Sequence, residues 1–290
     1  MGMDSLWERT RSRLRGRYRD PRVFQVAFLA AFLLAVSLET DYELTPARAG
    51  LILAVAMATQ LACVRLVGIA WPGAWSPLIS GLSLVLLLRC DAAWVAALAA
   101  VLTIASKFSL RVGEKHFFNP TNFGLLVTIL VTDRAWVSAG QWGSGVLLAF
   151  FFAALGLAVA GKVGRLDISL GFLAAHAALN LARVAYLGHD LAVLSHRLTT
   201  GSLIIFAFFM LSDPRSTPDT RRGRLLLAAA VACLAYSLQF HLFIKSAPLW
   251  ALLALSPATP LIDRLWPGQR FVWRQPAPAS GGLSASESTG

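Results

Sequence analysis

Charge is scarce in this chain. Only 14% of its 290 residues are Asp, Glu, Lys or Arg, against about 25% in an ordinary soluble domain. A globule of this length cannot cover itself in water with so few charges. Cysteine is equally sparse: Cys63, Cys90 and Cys233 fall in no C-x-x-C or C-x-x-C-H pattern. That excludes a zinc knuckle and a c-type haem attachment, and leaves the three thiols as small buried filler. No Walker loop, no G-x-G-x-x-G after a strand, no H-E-x-x-H and no G-x-S-x-G occurs. Soluble-enzyme chemistry therefore has no footing here.

What fills the space is apolar. Hydrophobic residues make up 57% of the chain, and mean hydropathy is +0.63. Several runs approach the roughly 20 residues that carry a helix across a bilayer. Leu/Ala richness and run length speak against barrel strands, which alternate in polarity over about 10 residues. The expected fold class is all-α: a polytopic integral membrane protein with the lipid bilayer as its solvent. The net charge of +11 marks loops on the cytoplasmic side, not a nucleic-acid surface.

Arginine recurs at every second position from Arg9 to Arg19. No small-residue cleavage site follows the apolar run behind it, so this reads as a basic anchor before a first span. Residues 1–22 form a basic cytoplasmic segment, 23–263 the membrane domain, and 264–290 a cytoplasmic, disordered tail rich in Pro, Ala, Ser and Gly. The spans lie at 23–38, 48–70, 78–90, 92–109, 119–132, 143–161, 167–188, 199–212, 224–243 and 247–262. With both termini inside, the inner segments hold most of the 26 basic residues, the bias expected of about ten spans in a bacterial inner (plasma) membrane.

Three spans are short, 78–90, 119–132 and 199–212, and each ends at an aspartate: Asp91, Asp133 and Asp213. Short, Gly/Pro-interrupted spans at matching places in two halves point to inverted five-helix repeats with broken helices around a central site. His116 and Asp133 share their spacing with His196 and Asp213, a coincidence that carries no weight alone.

Three stretches could hold chemistry. In "EKHFFNPTNFG", Asn119 caps a helix opened by Pro120, and Thr121 and Asn122 add polar groups at the same depth. In "LSDPRSTPDTRRGR", Pro214 stops the preceding span after Asp213. Both stretches face the cytoplasm; they either cap helices or surround a ring with several donors and acceptors. On span seven, His176, Asn180 and Arg183 share one helical face. Such a face lines a wet pathway or makes interhelical hydrogen bonds.

The stretches "KHFFNPTNFGLLVTILV", "TTGSLIIFAFFMLSDPRSTPDTRRGR" and "SPATPLIDRLWPGQRF" resemble RnfD and its relative NqrB, membrane subunits of electron-transport complexes. The resemblance runs from about Ser106 to Phe271. "NPTNFG" and "SDPRSTPD" look most like the branch known as enediyne biosynthesis protein UnbU. It implies a ten-helix fold similar to urea transporters, flavin cofactors and partner redox or biosynthetic subunits. The family attaches one FMN to a threonine in a Ser/Thr-Gly-Ala-Thr motif between spans five and six. Here that loop reads "DRAWVSAGQWGS", without Gly-Ala-Thr. The expectation is therefore a non-covalent FMN or riboflavin, served by Asn119, Thr121, Asn122 and Asp213. The alternatives are a small-solute or ion permease of the same fold, lined by His176, Asn180 and Arg183, and an accessory membrane scaffold for biosynthesis or export.

Overall fold

A computed structural model describes residues 21–39, 45–138 and 146–272. The arginine-rich segment up to residue 20, part of the loop expected to carry the covalent flavin (139–145) and most of the tail (273–290) lie outside the described residues. The helices are α1 (Pro21–Glu39), α2 (Pro46–Val67), α3 (Trp75–Leu87), α4 (Ala93–Ser109), α5 (Pro120–Thr132), α6 (Val146–Val163), α7 (Leu166–Leu187), α8 (Leu191–Leu198), α9 (Gly201–Ile205), α10 (Arg221–Phe240), α11 (Ala247–Leu255) and α12 (Thr259–Leu265). A π-helical segment, Phe206–Met210, continues α9, and a 3-10 turn, Ser256–Ala258, joins α11 to α12. The strands are β1 (Leu88–Cys90), β2 (Arg111–Val112), β3 (Lys115–His116) and β4 (Ala135–Val137).

Every expected span has its helix, and the chain is an all-α, multi-pass membrane protein. Among the described residues, α2, α7 and α10 are long and apolar enough to cross a bilayer whole. A fourth crossing comes from α8 and the α9–π segment, bent by 52° at their junction. The remaining spans are shorter. The 13 residues of α3 rise about 20 Å, less than the roughly 30 Å of hydrocarbon. Nine-residue α11 is shorter still and continues through the 3-10 turn. Helix α8 has no counterpart among the expected spans; it is a short amphipathic helix with no buried residue.

The pairings repeat. In the first half α2 packs on α3 and α4, α1 on α3, and α4 on α5. In the second, α7 packs on the π segment and α10, α6 on the α9–π segment, and α10 on α11. Helices α2 and α7 have equal length, bury residues at equal places (Ile52, Ala56, Gln60, Val64; Phe172, His176, Asn180, Val184) and end on left-handed glycines, Gly68 and Gly188. A positive φ of 70° and 67° is why glycine stands at both ends.

The halves are inverted. At one end of the molecule the starts of α3 and α5 meet the end of the π segment, through Thr121 on Ser80 and Asn119 on Met210. The end of α4 reaches the start of α3 there, Lys107 on Ser76. The starts of α7 and α10 meet there through Asp167 and Arg224. At the far end, the start of α2 meets the end of β1, where Arg48 donates to the Cys90 carbonyl. Third and fifth helices thus begin at the charged end in one half and finish there in the other.

Non-helical backbone inside lipid must satisfy its own polar groups. After α3, all of Leu88–Cys90 is buried, and β4 pairs it antiparallel, Leu88 opposite Val137. Close helix approach elsewhere depends on one glycine. A Cβ on Gly124 of α5 would fall against Thr103 Oγ1 and 2.6 Å from the Thr103 nitrogen of α4. Small residues at such crossings let membrane helices pack backbone to backbone. The cysteines are free; Cys90 is buried, but Cys233 is exposed on α10, so the expectation of three buried thiols fails there. Helix α10 turns that face outward, where an apolar thiol meets lipid as readily as core.

Candidate functional site

The charged end is held together by the stretches singled out in the sequence. Lys115 of β3 donates to Asp219 Oδ1 at 2.9 Å and to Asp263 Oδ2 at 2.7 Å. Asp263 Oδ1 in turn accepts the Asp219 amide at 2.8 Å. One lysine therefore ties "EKH", "TPD" and "PLID", three segments remote in sequence. Beside it, Arg224 forms a fork on Asp167, with Nε at 2.9 and 3.0 Å and Nη2 at 2.6 Å. Bidentate pairing of this kind fixes orientation as well as charge.

Asn119 joins two helix ends. Its Oδ1 accepts the Asn122 amide at 3.0 Å, capping α5, while its Nδ2 donates to the Met210 carbonyl at 3.2 Å. A helix end leaves carbonyls without partners, and the π segment ends at Met210. Asp213 organises the turn that follows. Its Oδ1 accepts the Arg215 amide at 3.1 Å, its Oδ2 the Ser216 hydroxyl at 2.9 Å, and its carbonyl the Thr217 hydroxyl at 2.7 Å. His116 Nε2 stands 3.6 Å from Asp213 Oδ2. His116 thus meets Asp213, not Asp133, its equal-spacing partner in sequence. Burial works to raise the Asp213 carboxyl, but His116, the Arg215 amide and the Ser216 hydroxyl together hold it below its ordinary value.

These elements enclose a cavity of about 490 Å³, within the roughly 300–1,000 Å³ typical of cofactor sites. Gln60 comes from α2, Ser80 and Ser83 from α3, and Lys107 from the end of α4. Phe108, Phe209 and Phe271 supply apolar wall. Of the residues expected to serve a cofactor, Asn119, Thr121 and Asp213 line this cavity. Asn122 lies behind it, donating to the Leu249 carbonyl at 3.0 Å. The side-chain oxygens and nitrogens of Asn119 and Asp213 are engaged within the protein, and Thr121 Oγ1 donates to the Ser80 carbonyl at 3.3 Å. The buried wall atoms left without a hydrogen bond include Gln60 Oε1 and His116 Nε2. A buried polar atom without a partner is costly and points to something that completes it. Gln60 was missed because one glutamine on an apolar helix gives no local signal; Lys115 and His116 stood directly before the quoted Phe-Phe-Asn-Pro.

The span-seven face does not reach this cavity. His176 and Asn180 are both buried on α7, and Asn180 Nδ2 donates to the His176 carbonyl at 2.8 Å. Arg183 parts from them and stacks over Phe240 at 4.1 Å. Arg197 of α8 approaches the same ring at 4.8 Å and donates to Asn180 Oδ1 at 3.5 Å. The interhelical reading describes these contacts better than an open pathway does. Among the described residues no cluster of His, Cys, Asp or Glu could hold a metal.

A family model described as "NQR2, RnfD, RnfE family" matches residues 4–271. Two similar relatives are both named as the D component of an ion-translocating oxidoreductase complex. One, from Marinobacter nauticus, is 27% identical over 136 residues, covering 47% of this chain and 36% of the relative. The other, from Stutzerimonas stutzeri, is 29% identical over 133 residues, covering 44% and 36%. Each alignment takes in little more than a third of the relative's length.

Proposed function

The chain belongs to the NQR2, RnfD, RnfE family, and from that premise we propose that it is a membrane subunit of an electron-transport system that holds a non-covalent flavin in the cavity at its charged end. The observation that carries this reading is the pair of unpartnered buried atoms, Gln60 Oε1 and His116 Nε2, facing one aromatic-walled cavity. A flavin ring offers an N–H edge and carbonyl edge of the kind those atoms lack. Gln60, Ser80 and Ser83 would hold that edge, Phe209 and Phe108 would cover the ring, and Asn119 keeps the wall in place through its two helix ends. When bound, the flavin supplies one- and two-electron transfer. His116, anchored 3.6 Å from Asp213, is placed to hold a proton at Nε2 beside it. Lacking Gly-Ala-Thr, the chain attaches no flavin through phosphate to threonine. Partner redox subunits, as the relatives' names indicate for them, would deliver and remove electrons, with the charged end in the cytoplasm of a bacterial inner membrane. The strings "NPTNFG" and "SDPRSTPD" support a finer placement beside natural-product biosynthesis.

The test is an absorbance spectrum of the purified protein, with flavin released on denaturation. A folded, colourless preparation that takes up neither FMN nor riboflavin overturns the reading. A second reading, a solute or ion conduit, is favoured by the missing threonine motif and by His176 Nδ1, buried without a hydrogen bond. Proteoliposome flux lost in His176→Ala supports that alternative; absence of flux removes it.

A further inference from the structure

The cavity is not evenly charged. Lys107 lies on its wall and spends two of its three N–H groups on Ser76, at 3.0 and 3.3 Å. Among the described residues it has no carboxylate at ion-pair distance, whereas Lys115 holds two. Arg111, also on the wall, gives Nη2 to the Glu114 carbonyl at 2.6 Å, and its buried Nε has no acceptor among the described residues. The N-terminus of α5 opens on the same wall. Asn119 caps the Asn122 amide there, and no acceptor among the described residues takes the Thr121 amide. Helix N-termini favour anions through such free amides.

The carboxylates on the wall do not balance these groups. Asp219 belongs to Lys115, and Asp213 to Ser216, the Arg215 amide and His116. Glu114 is exposed. A second, independent sign of a ligand is His116, 7% exposed, whose Nε2 lines the cavity without a hydrogen bond.

We infer that the cavity takes a ligand carrying a phosphate monoester, bound between Lys107, Arg111 and the first turn of α5, with a ring reaching Gln60. Resting on the cavity's reading as a flavin site, this selects FMN over riboflavin, because the rim is built for two negative charges and riboflavin has none. The side chains concerned lie outside the stretch where the family's covalent attachment is expected.

The experiment measures binding of FMN, riboflavin and inorganic phosphate to the purified chain in phosphatidylcholine nanodiscs, by flavin fluorescence and by thermal shift. Wild type is expected to bind FMN at least about tenfold tighter than riboflavin, the gain of one charge-assisted contact. Lys107→Gln and Arg111→Gln should each erase most of that preference while leaving riboflavin binding intact. Equal affinities in wild type, or a preference untouched by both variants, overturn the inference. If neither flavin binds, the flavin reading fails by itself. The phosphate site then stands if phosphate raises wild-type thermal stability and not that of Lys107→Gln, and falls if it does not. Loss of the FMN preference only in phosphatidylglycerol nanodiscs assigns the rim to a lipid headgroup and also overturns it.

Discussion

The two halves of the molecule pack their helices alike and close their ends differently. In the first half, the ends of α3 and α5 meet through β1 and β4, backbone to backbone. The ion pair on that closure, Arg134–Asp91 at 3.7 Å, is half exposed on both sides. In the second half, the ends of the π segment and α11 meet through side chains: Asp219, Asp263 and Thr259, gathered around Lys115 and Ser216. Both solutions satisfy backbone that helices cannot carry to the membrane surface. Only the second leaves charged groups around an enclosed space, so the cavity sits at that end. The halves differ again at α8. Gln60 on α2 faces the cavity, but its equivalent on α7, Asn180, is occupied by Arg197 from α8. Among the described residues, the first half has no helix between α2 and α3.

The contrast can be broken most severely at Lys115. Lys115→Met strands two largely buried carboxylates and should cost about 3–5 kcal/mol, read as a large fall in unfolding temperature in nanodiscs. Asp219→Asn combined with it should recover part of the loss. A fall no greater than that of Arg134→Gln would erase the proposed difference between the closures. Next in size is the small-residue crossing: Gly124→Val should cost about 1–3 kcal/mol by forcing α5 off Thr103, with Gly124→Ala nearer the lower figure.

Asn119→Ala removes a cap and a carbonyl partner together. About 1–2 kcal/mol is expected, with loss of any cavity ligand because the wall between α5 and the π segment opens. Asp213 sharpens the charged end by pH. Its carboxyl is held below its ordinary 3.8, so its stabilisation is complete above that pH and is lost as pH falls through the lower folded value. Thermal unfolding between about pH 5 and pH 3 should therefore be steeper in wild type than in Asp213→Asn. The smallest effect belongs to Arg134→Gln, at most about 1 kcal/mol, because solvent screens an exposed pair.

Chain composition and run length alone determined that this is a bundle of membrane helices. The short spans with their flanking Pro, Gly and Asp already indicated the inverted halves, since hydrophobic thickness sets a length that α3 and α5 do not reach. The strings around Asn119 and Asp213 could be seen to share an end of the bundle, because span counting places loops on sides. Their meeting could not be seen: Asn119 on Met210, Lys115 on Asp219 and Asp263, and His116 beside Asp213 join segments far apart in sequence, and no local periodicity encodes such pairings. The same holds for Gln60, an isolated polar residue whose role exists only once α2, α3 and α5 surround the same space. Lipid solvation and helix geometry act within a segment and are written in it; charge neutralisation in a dry interior acts between segments and is decided when they fold together.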